Sequence, residues 1–279
     1  MKIGFIGQGY IGKNYADDFE NRGYDVVRYA LEEPYNGNKE KIKDCDIVFV
    51  AVPTPTTPKG FDSSIIEDAL TLVGEGKIAV IKSTILPGTT KDLQEKHKDI
   101  LLLCSPEFLS EATAAHDAAS PFSNIVGIPE GSHKYKEAAD KVHSVLAEAP
   151  FVLTCSSVEA EIIKYTHNGS GYTQIMFFNI MYDLANKLGG DWEQIEKAVK
   201  ADPMICNRYA SPVHKTGRGA GGHCFIKDIA ALRELYGETI PEDNKGFEVL
   251  ESMEEKNKKL LKDSDKDLDL LEGVYGKDI

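Results

Sequence analysis

A chain of 279 residues has room for one large or two ordinary domains, each able to bury a core. Its 42% hydrophobic and 28% charged content is that of a water-soluble globular protein, and a net charge of −13 argues against non-specific binding to nucleic acid or to an anionic membrane. No run approaches the ~20 apolar residues of a membrane span, and the five cysteines, scattered and never paired as C-x-x-C, fit a reducing compartment and offer no zinc-ligand spacing, so no metal is expected.

Lys2–Ile6 is a short apolar run suited to a buried strand, and Gly7-Gln8-Gly9-Tyr10-Ile11-Gly12 follows at once. Lys13–Arg22 is compatible with a helix, Gly23 ends it, and Tyr24–Tyr29 predicts a second strand. A glycine fingerprint acquires meaning in this strand–turn–helix–strand setting: the glycines permit the tight turn, the close approach of a pyrophosphate and helix–strand packing, while the helix N-terminus attracts phosphate. Where an acidic residue should meet the adenosine ribose, counting from Gly12 lands near Ala30, with Arg28 before it and Glu32 and Glu33 after. Glu32 takes that role if the strand end is shifted, whereas Arg28 would favour a 2′-phosphate; NAD is the preferred cofactor, with NADP left open. Met1–Gly7 leads directly into the glycine turn, where a signal peptide would carry a cleavage site, so a cytoplasmic location is expected.

Further apolar strands are predicted at Asp46–Val52, Lys77–Lys82, Ile100–Cys104, Asn124–Ile128 and Phe151–Thr154, with helical segments between them. The alternation predicts an α/β domain over residues 1–157, a Rossmann-type doubly wound parallel sheet with ligands at the carboxyl ends of its strands. Those ends carry Pro53-Thr54-Pro55, Ser83-Thr84 and Ser105-Pro106-Glu107, which are expected to line the cofactor crevice.

From Val158 the pattern turns helical. Ile162, Ile163, Met176, Phe177, Ile180 and Leu184 recur at helical spacing within Glu159–Lys187, interrupted only by Gly169 and Gly171, which predicts one long helix. Lys164 and Asn168 are four apart on one face of it, and both donate hydrogen bonds, as an oxyanion requires. Asp191–Ala201 and Phe247–Leu261 predict two more helices, the latter with the mixed charge of a solvated face. Between them lies Gly219-Ala-Gly-Gly-His-Cys-Phe-Ile-Lys-Asp228, which places Cys224 in a glycine-rich turn with Lys227 and Asp228 three and four residues on. Residues 158–261 thus form a helical domain carrying the cysteine, and 262–279 a charged tail.

Together, and in this order, Gly7-x-Gly-x-x-Gly12, Val52-Pro-Thr-Pro55, Lys82-Ser-Thr84 with Pro87-Gly-Thr89, Pro106-Glu-Phe-Leu109 with Glu111, Glu159-Ala-Glu161 with Lys164 and Asn168, and Gly221-Gly-His-Cys-Phe-Ile-Lys-Asp228 resemble the UDP-glucose/GDP-mannose dehydrogenase family. The resemblance implies a two-step, NAD-dependent oxidation of a nucleotide-sugar C6 alcohol to a carboxylate. Cys224 would capture the aldehyde as a thiohemiacetal and carry the thioester, Lys164 and Asn168 would stabilise oxyanions, and Thr84, Glu107 and Asp228 would position water and relay protons. The cofactor would meet Gly7, Gly9, Tyr10, Ile11, Gly12, Glu32, Val52, Pro53, Thr54, Ser83, Thr84, Glu111 and Lys227, with Glu111 organising the loop around the substrate. The substrate would meet Glu107, Phe108, Leu109, Lys164, Asn168, Tyr209 and Gly221. A homodimer through the helical domain, with Val249–Leu261 part of its surface, is also implied.

The departures are specific. Ser110-Glu111-Ala112 stands where the family has Arg-Glu-Gly, and Met204-Ile205-Cys206 where an Arg-Ile-Gly precedes the sugar loop, leaving Arg208 or Arg218 as substitutes for the missing arginine. Family members continue into a further Rossmann-like domain for the nucleotide, so the chain reads as a short form ending in the charged segment Lys262–Ile279. Two other readings stay open: a single hydride transfer like that of 3-hydroxyacid dehydrogenases, using Lys164 and Asn168, and a non-catalytic NAD-binding remnant.

Overall fold

The computed structural model describes residues 1–277, which divide into two compact units. The first holds Met1–Thr54 and Asp62–Lys164; the second holds Pro55–Phe61 and residues 165–277. The boundary therefore falls inside the long helix, seven residues beyond the expected 157, and a short stretch of the N-terminal half belongs to the second unit.

The first unit begins with β1 (Lys2–Ile6), α1 (Tyr10–Asn21) and β2 (Asp25–Tyr29), continues through a 3-10 segment (Asn36–Asp44) to β3 (Ile47–Val50), and leaves for the second unit at the hairpin β4 (Thr56–Thr57) and β5 (Gly60–Phe61). It resumes with α2 (Ser64–Leu70), β6 (Ile78–Ile81), α3 (Thr89–Lys96), β7 (Leu101–Cys104), α4 (Ala114–Ala119), β8 (Asn124–Ile128), α5 (His133–Val145) and β9 (Val152–Ser156), and ends in the first turns of α6 (Ser157–Leu188). Seven strands form one sheet in the order β2-β1-β3-β6-β7-β8-β9. Alternate residues of the strands, among them Ile3, Phe5, Ile47, Phe49, Ile78, Val80 and Leu103, share a core with Tyr15, Ala16 and Phe19 of α1 and the apolar face of α5. Phe5 packs against both Phe19 and Phe49, with ring centroids 5.4 and 5.1 Å away.

The expected all-parallel sheet is corrected at one junction. β7 and β8 pair antiparallel through Cys104 and Gly127, whereas the other junctions are parallel. The connection explains it: α4 has only six residues and packs on α1, so the chain makes no crossover over the sheet and re-enters from the end at which it left. The loops after β3, β6 and β7 still emerge at one edge, since those three strands run parallel.

The second unit contains the rest of α6, α7 (Trp192–Ala201), a 3-10 turn (Asn207–Tyr209), the ribbon β10 (Val213–His214) and β11 (Gly217–Arg218), α8 (Gly222–Thr239), α9 (Asn244–Asp263) and α10 (Leu268–Tyr275). Two apolar clusters hold it: Tyr172, Met176, Ala220, Ile229 and Leu260, and Ile226, Ala230, Leu261, Leu271 and Val274. Gly171 does not break α6; a side chain there would place its Cβ 2.7 Å from the Tyr209 ring, so the glycine admits Tyr209 against the helix.

Two expectations for this half are corrected. The Gly219–Asp228 run is not a turn, because its second part is the start of the 18-residue helix α8. The segment expected to be a charged tail is folded as far as Lys277: Leu268, Leu270, Leu271 and Val274 recur at helical spacing, and α10 packs on α8 and on the β4–β5 hairpin. Likewise α9 is not wholly solvated, since Glu254, Asn257, Leu260 and Leu261 are buried. Residues 278 and 279 of the expected tail lie outside the described residues.

Candidate active site

The turn from β1 to α1 is built from its glycines. Gly7 has φ +90°, and a Cβ on it would lie 2.2 Å from the Ala51 carbonyl oxygen; one on Gly12 would lie 2.0 Å from that of Gly7. These two glycines therefore serve packing. Gly9, the N-cap of α1, has open space where its Cβ would be, and neither a side-chain cap nor an acidic residue occupies the first turn of the helix. An anion can thus approach the helix amides past Gly9, with Tyr10 and Ile11 in the first turn, which is the fit a dinucleotide pyrophosphate needs.

The ribose end is also resolved. Arg28 is buried on β2, with its guanidinium 2.7 Å from both Asp17 and Glu20, and these two carboxylates raise its pKa against the effect of burial. Its guanidinium is committed to α1. Glu32 lies exposed just beyond β2 and its backbone carbonyl accepts from Tyr35.

The strand-end loops of the first unit interlock. Thr54 Oγ1 donates to the Thr84 carbonyl at 2.8 Å and Ser83 Oγ to the Val52 carbonyl at 2.6 Å, so the β3 loop, with Pro53 between these bonds, is tied to the β6 loop. From α6, Lys164 donates to the Glu107 carbonyl oxygen at 2.7 Å and to its carboxylate at 3.1 Å, while the other carboxylate oxygen accepts from the Leu109 amide. Both partners are buried. Phe108 lies 5.5 Å beneath the Lys164 ammonium. Glu161, one turn earlier on α6, accepts from the Gly88 and Thr90 amides and the Thr90 hydroxyl, which caps α3 and fixes the loop after Thr84; burial raises its pKa. Glu111 is exposed beyond this cluster.

Sequence reasoning passed over Lys82 as a catalytic neighbour. Its ammonium is buried at the end of β6, donates to Ser105 Oγ at 3.2 Å and sits 4.3 Å over the Tyr15 ring. Burial pushes its pKa down to about 8, with Glu107 opposing and Lys164 adding to the fall. The available signal was a lysine closing an otherwise apolar buried strand.

In the second unit, Cys224 is a half-buried cysteine in the first turn of α8. One turn further, buried Asp228 accepts from Asn168 Nδ2 of α6 at 2.7 Å and from Lys227 Nζ at 2.5 Å. The structure thus brings Asp228, Lys227 and Asn168 together, one turn beyond Cys224 on α8. Tyr209 stacks edge-on against Phe225, the residue after the cysteine, at 5.8 Å. Gly221 is the N-cap of α8. Arg218 is not available as the substitute arginine: Asn179 and Asp183 of α6 hold its guanidinium, which also covers the Tyr182 ring. Arg208 remains, 6.0 Å over the Tyr209 ring. Among the described residues no group of His, Cys, Asp and Glu is arranged to hold a metal ion, and no helix is long and apolar enough to cross a membrane.

Residues 32–147 match the NAD binding domain of the UDP-glucose/GDP-mannose dehydrogenase family, and residues 158–259 match the central domain of the same family. The chain is 32% identical over 230 residues to a UDP-glucose 6-dehydrogenase of Rickettsia felis, covering 78% of this chain and 49% of that one. Its fold is similar to a UDP-glucose dehydrogenase from the hyperthermophilic archaeon Pyrobaculum islandicum, with TM-score 0.77 and 25% identity over 91% of this chain and 68% of that one. It is similar in fold alone to a 3-hydroxyisobutyrate dehydrogenase of Mycobacterium tuberculosis, with TM-score 0.72 at 15% identity over 98% of both. The chain spans about half to two thirds of the length of the curated relatives it matches.

Proposed function

Because the chain belongs to the UDP-glucose/GDP-mannose dehydrogenase family, we propose that it oxidises the C6 alcohol of a nucleotide sugar to a carboxylate, with NAD as the bound oxidant and Cys224 as the covalent nucleophile. NAD fits the open approach at Gly9, and the engagement of Arg28 by Asp17 and Glu20 favours it over NADP. Bound NAD supplies the hydride acceptor, once in each of two oxidations.

The remaining chemistry belongs to the chain. After the first oxidation the Cys224 sulfur adds to the aldehyde carbon, forming a C–S bond and an alkoxide that takes up a proton to become a thiohemiacetal. Loss of that proton and a hydride leaves a thioester. Water attacks the thioester carbon, the C–S bond breaks, and the thiolate returns with a carboxylate as product. One alcohol, two NAD⁺ and one water thus give one carboxylate, two NADH and three protons. The ammonium of Lys164 and the amide of Asn168 supply donors to the oxyanions, while Glu107, Thr84 and Asp228 hold water and take protons. The observation that carries the reading is the thiol in the first turn of α8 with Asp228 one turn on, held by Asn168 and Lys227.

The test is NADH production from a panel of UDP- and GDP-sugars. Two NADH per sugar, reduced to one or none by Cys224→Ala, supports the reading. One NADH per substrate with Cys224→Ala fully active overturns it, leaving the single hydride transfer, and NAD binding with no turnover would leave a cofactor-binding remnant. We further propose a cytoplasmic homodimer: the five cysteines are scattered along the sequence with no C-x-x-C pair, and α6 carries a stripe of exposed apolar residues, Phe177, Ile180, Met181, Leu184 and Leu188.

A further inference from the structure

The backbone that delivers Cys224 is held by side chains from far along the sequence. Between β11 and α8 the chain has few helical or sheet partners of its own, and residues of α9 and the segment after it supply them. Asn257 brackets Ala220, accepting from its amide at 2.7 Å and donating to its carbonyl at 3.0 Å. Ser264 Oγ accepts from the Arg218 amide at 3.0 Å, and Lys266, a buried cation, donates to the Gly219 carbonyl at 2.9 Å. Asp267 completes the series: its carboxylate accepts from the Gly222 amide at 2.7 Å and so caps α8 two residues before Cys224.

Asp267 is itself fixed. It holds φ +52°, a left-handed conformation that aspartate and asparagine tolerate better than most residues, and it is the N-cap of α10, its carbonyl accepting from Leu271. Leu271 is fully buried beside Ile226 and Ala230 of α8. The fit is tight: a Cβ on Gly221 would fall 1.9 Å from the Asp267 carboxylate oxygen and 3.0 Å from Lys266 Cε, so a side chain there would push that carboxylate aside.

We propose that Asp267, backed by Lys266, is a positioning residue for Cys224, fixing the first turn of α8 so that the thiol keeps one place and one exposure. The proposal rests on Cys224 being the nucleophile of the reaction above. Asp267 acts on the thiol through the Gly222 amide.

The test uses the full chain in two arms. In turnover, Asp267→Ala lowers kcat about tenfold with KM for NAD within about twofold, and Asp267→Asn, which keeps a cap acceptor and tolerates the left-handed conformation, restores most of the loss. In the second arm, iodoacetamide labelling is followed at the Cys224 peptide by mass spectrometry; loss of the cap frays the turn and speeds labelling about fivefold in Asp267→Ala, while Asp267→Asn stays near wild type. Gly221→Ala, which pushes the same carboxylate away, serves if Asp267→Ala does not fold, and should label fast as well. Labelling needs no substrate, so a chain that oxidises no nucleotide sugar defeats the functional reading and still tests the clamp. Wild-type labelling in both Asp267→Ala and Gly221→Ala, or an Asp267→Asn variant as impaired as Asp267→Ala, would overturn the proposal.

Discussion

The first unit keeps three charges away from water at one place: Lys82, Glu107 and Lys164, all buried. Lys164 and Glu107 form a close pair, and removing one member of such a pair costs about 3–5 kcal/mol because the other is left charged and desolvated. Lys164→Met should therefore lower the unfolding free energy in urea by about that amount, and the Glu107→Gln/Lys164→Met double variant should lose less than the sum of its singles. Lys82 is an excess cation. Its folded pKa of about 8 lies below the ordinary 10.5, so between those values the unfolded chain holds a proton that the folded chain has released. Stability linked to Lys82 then rises with pH from about 8 to 10.5, and below 8 the cost of the buried ammonium is present in full. Tyr15 and Cys104 nearby have raised pKa values and act in the opposite sense; the difference between wild type and Lys82→Met isolates the lysine. That difference should shift in favour of wild type by roughly 3 kcal/mol across the window, measured by chemical denaturation at a series of pH values. A flat difference would show that Lys82 is neutral throughout or solvated when charged.

At the scale of elements, the β1–α1 turn separates the packing glycines, Gly7 and Gly12, from Gly9, which faces open space. Gly12→Ala must place its Cβ against the Gly7 carbonyl at 2.0 Å, and the strain should lower Tm by several degrees. Gly9→Ala meets nothing within 4 Å; it should melt like wild type and bind NADH at least about tenfold more weakly, as fluorescence titration would show, because its methyl group fills the anion approach. If Gly9→Ala bound NADH normally, the dinucleotide would not pass that point. This turn was legible in the sequence because all its determinants are local: an apolar strand, glycines, and a helix that follows without a break. The strand-end triplets after β3, β6 and β7 were legible for the same reason. Helix α8 was not. Gly221 and Gly222 weaken any local helix signal, and the cap that starts the helix comes from Asp267, 45 residues later. The antiparallel β8 was hidden because strand direction is set by the connection, here short α4, and not by strand composition. The segment after Lys262 reads as solvated by its charges, yet Leu271 alone is fully buried, so four apolar residues at helical spacing outweigh them. The burial of Lys82 and the loop contacts of Glu161 were not legible, because they exist only once α6 returns to the β6 and β7 loops.

At the scale of the whole molecule, helix α6 faces a core on one side and carries an unpaired apolar stripe on the other. Tyr172 and Met176 are buried with α8 and α9, while Phe177, Ile180, Leu184 and Leu188 are each about half exposed or more. Large apolar groups grouped on one helix face mark an association surface more often than scattered ones do. Asp183, the acidic residue of this stretch of α6, is engaged by Arg218 and Lys256. A two-fold contact between copies would set each residue of the stripe against the same helix of its partner. Burying an exposed Phe, Ile or Leu side chain contributes about 1.5–3 kcal/mol, and less where it is already half covered, while association costs about 4–15 kcal/mol, so a stable dimer needs the whole stripe of both copies together with its surroundings. Ile180→Glu would place an unpaired charge at the centre of that contact and should weaken association at least about 100-fold. Because Ile180 is half exposed within the chain, the variant should keep the thermal stability of the monomer. Light scattering coupled to size exclusion decides it: wild type eluting at twice the 30.7 kDa chain mass, and Ile180→Glu at that mass, support a dimer through α6, whereas a monomeric wild type removes the dimer from the proposed function.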